Sequence, residues 1–206
     1  MSKSPLSVAI FVFPEVEVLD LAGPYEVFTT ASRVFRKMDA VATAPFSVFT
    51  VAREAGAVRA RAGLVVLPDS TFANHPSVDL LIIPGGVITA ELATSTVAEW
   101  IQRTAATATL TASVCTGAFL LAQAGLLDGK TATTHWEDAE ELRTMFPQLT
   151  VLEQRRWVDE GAIVTSAGIS AGIDMSLHLV KRFAGRDLAL KTARQMDFDW
   201  QEETAS

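Results

Sequence analysis

The chain is divided by short apolar runs, rich in β-branched and aromatic residues, each bounded by a turn signal. Ser7-Val-Ala-Ile-Phe-Val-Phe13 stops at Pro14, and Phe46–Ala52 gives way to Arg53-Glu54. Asp79–Ile83 runs into Pro84-Gly85-Gly86, and Leu110–Val114 into Cys115-Thr116-Gly117. Ala162–Thr165 follows a turn at Asp159-Glu160-Gly161. Continuous apolar runs of this length read as strands buried on both faces. Between and after them lie segments with helical spacing: Val27–Val34 behind the breaker pair Gly23-Pro24, Val97–Ala106, Thr116–Ala124 ended by Gly125, Trp136–Phe146 stopped by Pro147, Ile173–Phe183 and Leu188–Phe198. Strands alternating with helices predict parallel βαβ units in an α/β, doubly wound, mainly parallel sheet covered on both sides. Val58–Val66, with Gly63, predicts a β-excursion. Thr131–Thr133 and Val151–Trp157 predict further strands, and the acidic segment Asp197–Glu203 reads as surface.

The 206 residues are 49% hydrophobic and 20% charged, which fits one domain spanning 1–206. A net charge of -7 argues against a nucleic-acid surface, which needs a basic stripe to neutralise phosphates. No apolar stretch is long enough to span a bilayer, and Met1-Ser2-Lys3-Ser4-Pro5 carries no apolar signal core. A cytoplasmic protein without membrane contact is expected. One cysteine rules out an intramolecular disulfide and gives no sign of a thiolate metal site. No Gly-x-Gly-x-x-Gly follows the first strand and no Walker-type loop occurs, so neither a nucleotide cofactor nor a metal is expected. The expected partner is a small-molecule substrate.

Ligands of such sheets bind outside the carboxyl ends of the strands. Three turns are predicted there: Pro14-Glu15, Pro84-Gly85-Gly86 and Cys115-Thr116-Gly117. Cys115 has two readings that stand level on its segment alone. It is either a buried core filler, or a nucleophile on a strand-to-helix turn whose following amides favour a thiolate. Pro84-Gly85-Gly86 is either a tight turn or bare backbone offering amide donors. Asp20, within Leu19-Asp20-Leu21-Ala22-Gly23-Pro24, is either a cap or solvated loop acid, or a carboxylate with a raised pKa poised for proton transfer. Glu15 and Glu17 are nearby alternatives to Asp20, but they alternate with apolar residues and read as exposed. His75 reads as a surface residue and His178 as structural. His135, in Thr133-Thr134-His135-Trp136, follows a short strand. Cysteine, histidine and acid are compatible with a catalytic set, but the residue types alone do not choose.

Several longer motifs do choose. They are Phe13-Pro14-Glu15 with Leu19–Pro24, Leu81-Ile82-Ile83-Pro84-Gly85-Gly86, Ser113-Val114-Cys115-Thr116-Gly117-Ala118, Gly125–Trp136, and Ala167-Gly168-Ile169-Ser170-Ala171-Gly172-Ile173-Asp174. Through them the chain resembles the ThiJ/PfpI superfamily over nearly its whole length. The resemblance implies a flavodoxin-like, class I glutamine amidotransferase-like fold. Asp20, the Cys115-Thr116-Gly117 turn and the Thr-Thr-His-Trp segment together look most like the isocyanide (isonitrile) hydratase branch, which adds water to an isocyanide to give an N-substituted formamide. That likeness implies Cys115 as nucleophile forming a thioimidate. It implies Asp20 as general acid/base, protonating the nitrogen and then activating water. Thr116 would assist, its amide and that of Gly86 steadying charge and its hydroxyl meeting Asp20 or substrate. Gly85, Gly86, His135, Trp136 and Ile169 would bind substrate. No cofactor is implied, and a homodimer is. The superfamily's peptidase and glyoxalase branches usually carry histidine directly after the cysteine. Thr116 stands there instead, which counts against a protease-like Cys-His pair. Two alternatives remain from the resemblance: a glyoxalase- or deglycase-like enzyme, and a non-catalytic sensor domain like that of AraC-type regulators, although no helix-turn-helix segment follows before Ser206.

Overall fold

The computed structural model describes residues 4–39 and 41–202. In chain order its elements are β1 (Leu6–Phe11), α1 (Val18–Met38), β2 (Phe46–Ala52), β3 (Val58–Arg59), β4 (Val65–Val66), β5 (Ser70–Thr71), β6 (Leu80–Ile83), α2 (Thr89–Leu92), α3 (Ser95–Ala105), β7 (Leu110–Val114), α4 (Gly117–Gln123), β8 (Thr131–Ala132), α5 (Ala139–Met145), β9 (Thr150–Val151), β10 (Trp157–Asp159), β11 (Ile163–Ser166), α6 (Ala171–Ala184) and α7 (Arg186–Gln195). Seven strands form one sheet in the order β10-β11-β7-β6-β1-β2-β5. All neighbours are parallel except β10, which returns antiparallel along β11. The expected flavodoxin-like α/β sheet is the observed architecture. β6 and β7 are buried at every position, as unalternating apolar strands must be when helices cover both faces. Helices α1, α6 and α7 pack on one another, as do α2, α3 and α4. The β1-α1-β2 and β6-α3-β7 crossovers run in opposite directions along the sheet, and because parallel crossovers are right-handed as a rule, this puts the two groups on opposite faces.

This strand order gathers the predicted turns. β7, β6 and β1 are adjacent and parallel, so the segments after Val114, Ile83 and Phe11 emerge at the same edge. β3 and β4 form the expected excursion, an antiparallel pair, and the Arg61 N–H donates to Val16 O at 3.0 Å to fold it over the start of α1.

Three expectations are corrected. Helix α1 begins at Val18 and runs through Gly23-Pro24, so Asp20 sits in its first turn. Pro24 has no N–H for the Asp20 carbonyl, but the helix buries Leu21, Val27, Phe28, Ala31 and Val34. Gly23 lies so close to α6 that a Cβ there would sit 3.0 Å from Ile173 Cγ1. Tertiary burial outweighs the local breaker. The expected strand Val151–Trp157 is two fragments, β9 and the start of β10. The polar stretch between them turns at Gln154 (φ 58°), and Arg156 Nε reaches the buried Asp174 at 2.6 Å. The acidic tail does not simply lie on the surface. Phe198 and Trp200 pack on the core, Trp200 Nε1 donates to Asp174 O at 3.2 Å, and Glu202 pairs with Arg186 and Lys181. Glu203, Ser206 and Met1–Lys3 lie outside the described residues.

Candidate active site

Cys115 follows β7 directly, in the left-handed region at φ 57°. A side chain other than glycine pays for that conformation, and the surroundings hold it there. Cys115 N–H donates to Ser166 O at 3.1 Å, and Thr134 Oγ1 donates to Cys115 O at 2.8 Å. Two residues on, Gly117 starts α4 against the end of β6. A Cβ there would fall 2.1 Å from Ile83 O, so only glycine lets the turn close.

Beside this turn lies Pro84-Gly85-Gly86. A Cβ on Gly85 would lie 2.6 Å from both Thr116 N and Oγ1 and 2.9 Å from Asp20 Oδ2. The bare backbone is what lets three segments meet. Gly85 N–H donates to Asp20 Oδ2 at 3.1 Å. Gly86 N–H donates to Thr116 Oγ1 at 2.9 Å, and that hydroxyl donates back to Gly86 O at 3.0 Å. Two expectations are corrected by this arrangement. The Gly86 amide is already engaged and is not a free donor for developing charge. The Thr116 hydroxyl serves Gly86 rather than Asp20, and so locks the glycine turn to the cysteine turn.

Asp20 is completely buried, and its Oδ1 has no hydrogen-bond partner among the described residues. Burial raises its pKa from the ordinary 3.8 to about 7. The Gly85 N–H opposes the rise, the Glu17 charge adds to it, and the Cys115 thiol and Arg61 pull it slightly back. Cys115, 7% exposed, is pushed up from 9.0 to about 12 by burial and then by the Asp20 charge, against the N–H groups of Thr116 and Ile169 that face its sulfur. The expected resting thiolate is therefore corrected to a resting thiol. Desolvation and a neighbouring carboxylate outweigh the first amides of the seven-residue α4. Above about pH 7 the pair holds a thiol beside a carboxylate, so Asp20 is placed to receive the thiol proton as sulfur attacks.

A cavity of about 230 Å³ opens above the sulfur, and Cys115, Thr116, Gly86, His135 and Ile169 line it. Gly85 and Asp20 lie behind this wall. Trp136, mostly exposed, instead lines a neighbouring cavity of about 510 Å³ that shares His135 and Ile169 with the first. The structure thus brings Cys115, Asp20, Thr116, Gly85, Gly86, His135 and Ile169 together and sets Trp136 one step away. His135 Nδ1 is 3.4 Å from Asp138 Oδ2. His75 and His178 lie elsewhere. His75 accepts from Trp100 Nε1 at 3.0 Å, so it is part of the packing rather than a free surface residue. His178 stacks on Trp157.

Sequence reasoning missed Arg61, Val87, Glu137 and Asp138 on the cavity wall, and named Glu17 there only as an alternative to Asp20. Glu17, read as exposed, is half-buried and paired with Arg61 at 3.3 Å. Glu137 and Asp138 had a signal, since they follow His135-Trp136 directly. Arg61 had none, because it arrives through the folding-over of the β3–β4 excursion. Among the described residues no group of three or more His, Cys, Asp or Glu side chains is placed to hold a metal ion, and no helix is long and apolar enough to cross a membrane.

A flavodoxin-like sheet with a strained cysteine at the edge of β7 and a buried acid from the first helix defines a class, and sequence comparison gives the same one. The DJ-1/PfpI family model matches residues 6–182, and the chain belongs to this family. It is 34% identical over 194 residues to an isonitrile hydratase of Pseudomonas putida, covering 94% of this chain and 78% of that protein. It is 30% identical over 189 residues to the HTH-type transcriptional regulator GbdR of Pseudomonas aeruginosa. That match covers 91% of this chain but only 49% of the regulator, so the chain spans about half the length of that relative. Among solved structures, a THiJ/PfpI family protein from Pseudomonas syringae superposes with a TM-score of 0.83 at 26% identity, covering 98% of this chain and 78% of that one.

Proposed function

We propose that the protein is a cysteine-dependent hydro-lyase of the isonitrile hydratase type, adding water to an isocyanide to give an N-substituted formamide. The observation that carries the reading is the proton pair. A buried carboxyl with a pKa of about 7 lies against the only thiol of the chain, and Thr116 rather than histidine follows the cysteine directly. Such a pair suits a reaction in which one proton leaves sulfur and is handed back within the same site.

The atom balance refines the expected sequence of steps. Asp20 carboxylate takes the Cys115 proton while sulfur bonds to the terminal carbon of R–N≡C. That carbon then carries the electron pair, so the proton returns to carbon rather than to nitrogen, giving the thioimidate R–N=CH–S–Cys. Asp20, again ionised, takes a proton from water as its oxygen adds to the same carbon, and the nitrogen is protonated at this stage. Loss of the sulfur releases R–NH–CHO and restores the thiol. The Thr116 and Ile169 amides that face the sulfur stabilise it as charge develops.

Two observations keep a sensing role as the second reading. The thiol rests protonated, with a pKa near 12, and a regulator aligns with nearly the whole chain. Purified protein assayed side by side with an alkyl isocyanide and with methylglyoxal separates the readings. Formamide production supports the hydratase, lactate production supports the glyoxalase-like alternative, and neither product supports a sensor. The expected homodimer belongs to this proposal. Exposed Tyr25, Leu64, Val65 and Leu67 lie at or beside an apolar groove that such an interface would cover, and light scattering measures the state directly.

A further inference from the structure

The cavity above Cys115 has an uneven charge. Its wall carries three carboxylates, Glu17, Glu137 and Asp138, and one permanent cation, Arg61. Arg61 is already paired with Glu17 at 3.3 Å. Among the described residues the ion-pair partner of both Glu137 and Asp138 is His135, whose Nδ1 lies 3.8 Å from Glu137 Oε2 and 3.4 Å from Asp138 Oδ2. Behind the thiol, Asp20 adds a buried carboxylate whose Oδ1 has no hydrogen-bond partner among the described residues. An anion approaching the sulfur meets repulsion from the wall and from the floor. An ammonium group meets attraction from both. A confined, partly desolvated cleft strengthens such selection over the same charges in open water.

We propose that this cavity selects electrophiles by charge, taking uncharged and cationic molecules and turning anionic ones away. Where the isocyanide reading holds, on which this substrate assignment rests, the substrate is an isocyanide whose nitrogen substituent is neutral or carries an ammonium group.

The charge selection is measured independently of turnover with two methanethiosulfonates, one bearing a 2-aminoethyl group and one a 2-sulfonatoethyl group. In each, the Cys115 sulfur bonds to the sulfenyl sulfur, methanesulfinate leaves with the bonding electron pair, and the thiol proton passes to Asp20 or solvent. Rates are taken at pH 8, above the ordinary histidine range, and divided by those of N-acetylcysteine amide to remove intrinsic reactivity. The expected ratio is about tenfold or more in favour of the amine at low ionic strength, shrinking at high salt. Glu137 is 63% exposed, so Glu137→Lys leaves the fold intact, as its circular dichroism checks, and brings the ratio towards one. Glu137→Gln falls between. In the same samples, kcat/KM for a trimethylammonioethyl isocyanide exceeds that for isocyanoacetate. A ratio near one, or one unmoved by salt and by Glu137→Lys, overturns the proposal. A strong, salt-sensitive ratio in protein that turns over no isocyanide, charged or neutral, supports the charge selection and overturns the hydratase reading alone.

Discussion

Replacing Asp20 by Asn should shift relative stability towards the variant as pH rises to about 7, and the difference should level off above that. In the folded protein the carboxyl holds its proton up to about pH 7, whereas in the unfolded chain it releases it near the ordinary 3.8. Between those values the folded state binds more protons than the unfolded state, so stability falls as pH rises and the loss is complete above about pH 7. At about 1.4 kcal/mol per pH unit, the interval sets a ceiling of about 4 kcal/mol. Asn keeps an oxygen for the Gly85 N–H but adds an NH2 to a fully buried position, which subtracts about 1–3 kcal/mol at every pH. The constant term cancels when the variant is compared with itself across pH. From pH 6 to pH 8.5 the difference between variant and wild type should therefore move by about 1.4 kcal/mol in favour of Asn. For a chain of this length that is a relative melting shift of about 3–6 °C. Urea titrations of both proteins at pH 6.0, 7.0, 7.75 and 8.5 give the curve. A difference that stays flat, or that favours wild type increasingly towards pH 8.5, would refute the buried-carboxyl argument.

The same pKa values set the pH–rate profile. With the carboxylate as base and the thiol as its partner, kcat/KM for an uncharged isocyanide should rise tenfold per pH unit below about 7 and level off above it. The limb should disappear from the residual activity of Asp20→Asn. Thr116→Val deletes both hydrogen bonds to Gly86, at about 1–3 kcal/mol if a buried group is left unpaired. It should lower kcat/KM about tenfold or more, and Thr116→Ser should restore most of it. Trp200→Ala removes the tail's packing and its bond to Asp174 O. It should cost about 2 kcal/mol or more in urea unfolding while leaving isocyanide turnover within about twofold of wild type.

The parts of the fold that were legible are those fixed by burial. Leu110–Val114 and Phe46–Ala52 are strands at the bounds expected, because an apolar run between helices has no other stable use. α1 was misplaced for the opposite reason: Gly23-Pro24 looks like a stop locally, and only packing against Ile173 shows that it is not. At the site, the place of Cys115 between strand and helix and the anomaly of Asp20 among apolar residues mark both as candidates, but each keeps a bland alternative that only the longer motifs decide. What composition and spacing do not carry is the balance between the two residues. The expected thiolate rested on helix amides, but whether these or desolvation prevails depends on how deeply the two side chains lie. The Thr116 hydroxyl likewise has several partners in reach of its sequence neighbours, and the one it takes belongs to a glycine thirty positions away.

The most direct test is a rapid-quench experiment on the wild-type protein with a neutral alkyl isocyanide, followed by intact mass and peptide mapping. The account predicts a transient adduct, heavier by the full mass of the isocyanide, on the peptide containing Cys115, decaying at the rate at which formamide appears. Cys115→Ala should show neither adduct nor product while retaining the wild-type far-ultraviolet circular dichroism. Formamide formed with no adduct on Cys115, or formed at an undiminished rate by folded Cys115→Ala, would contradict the account.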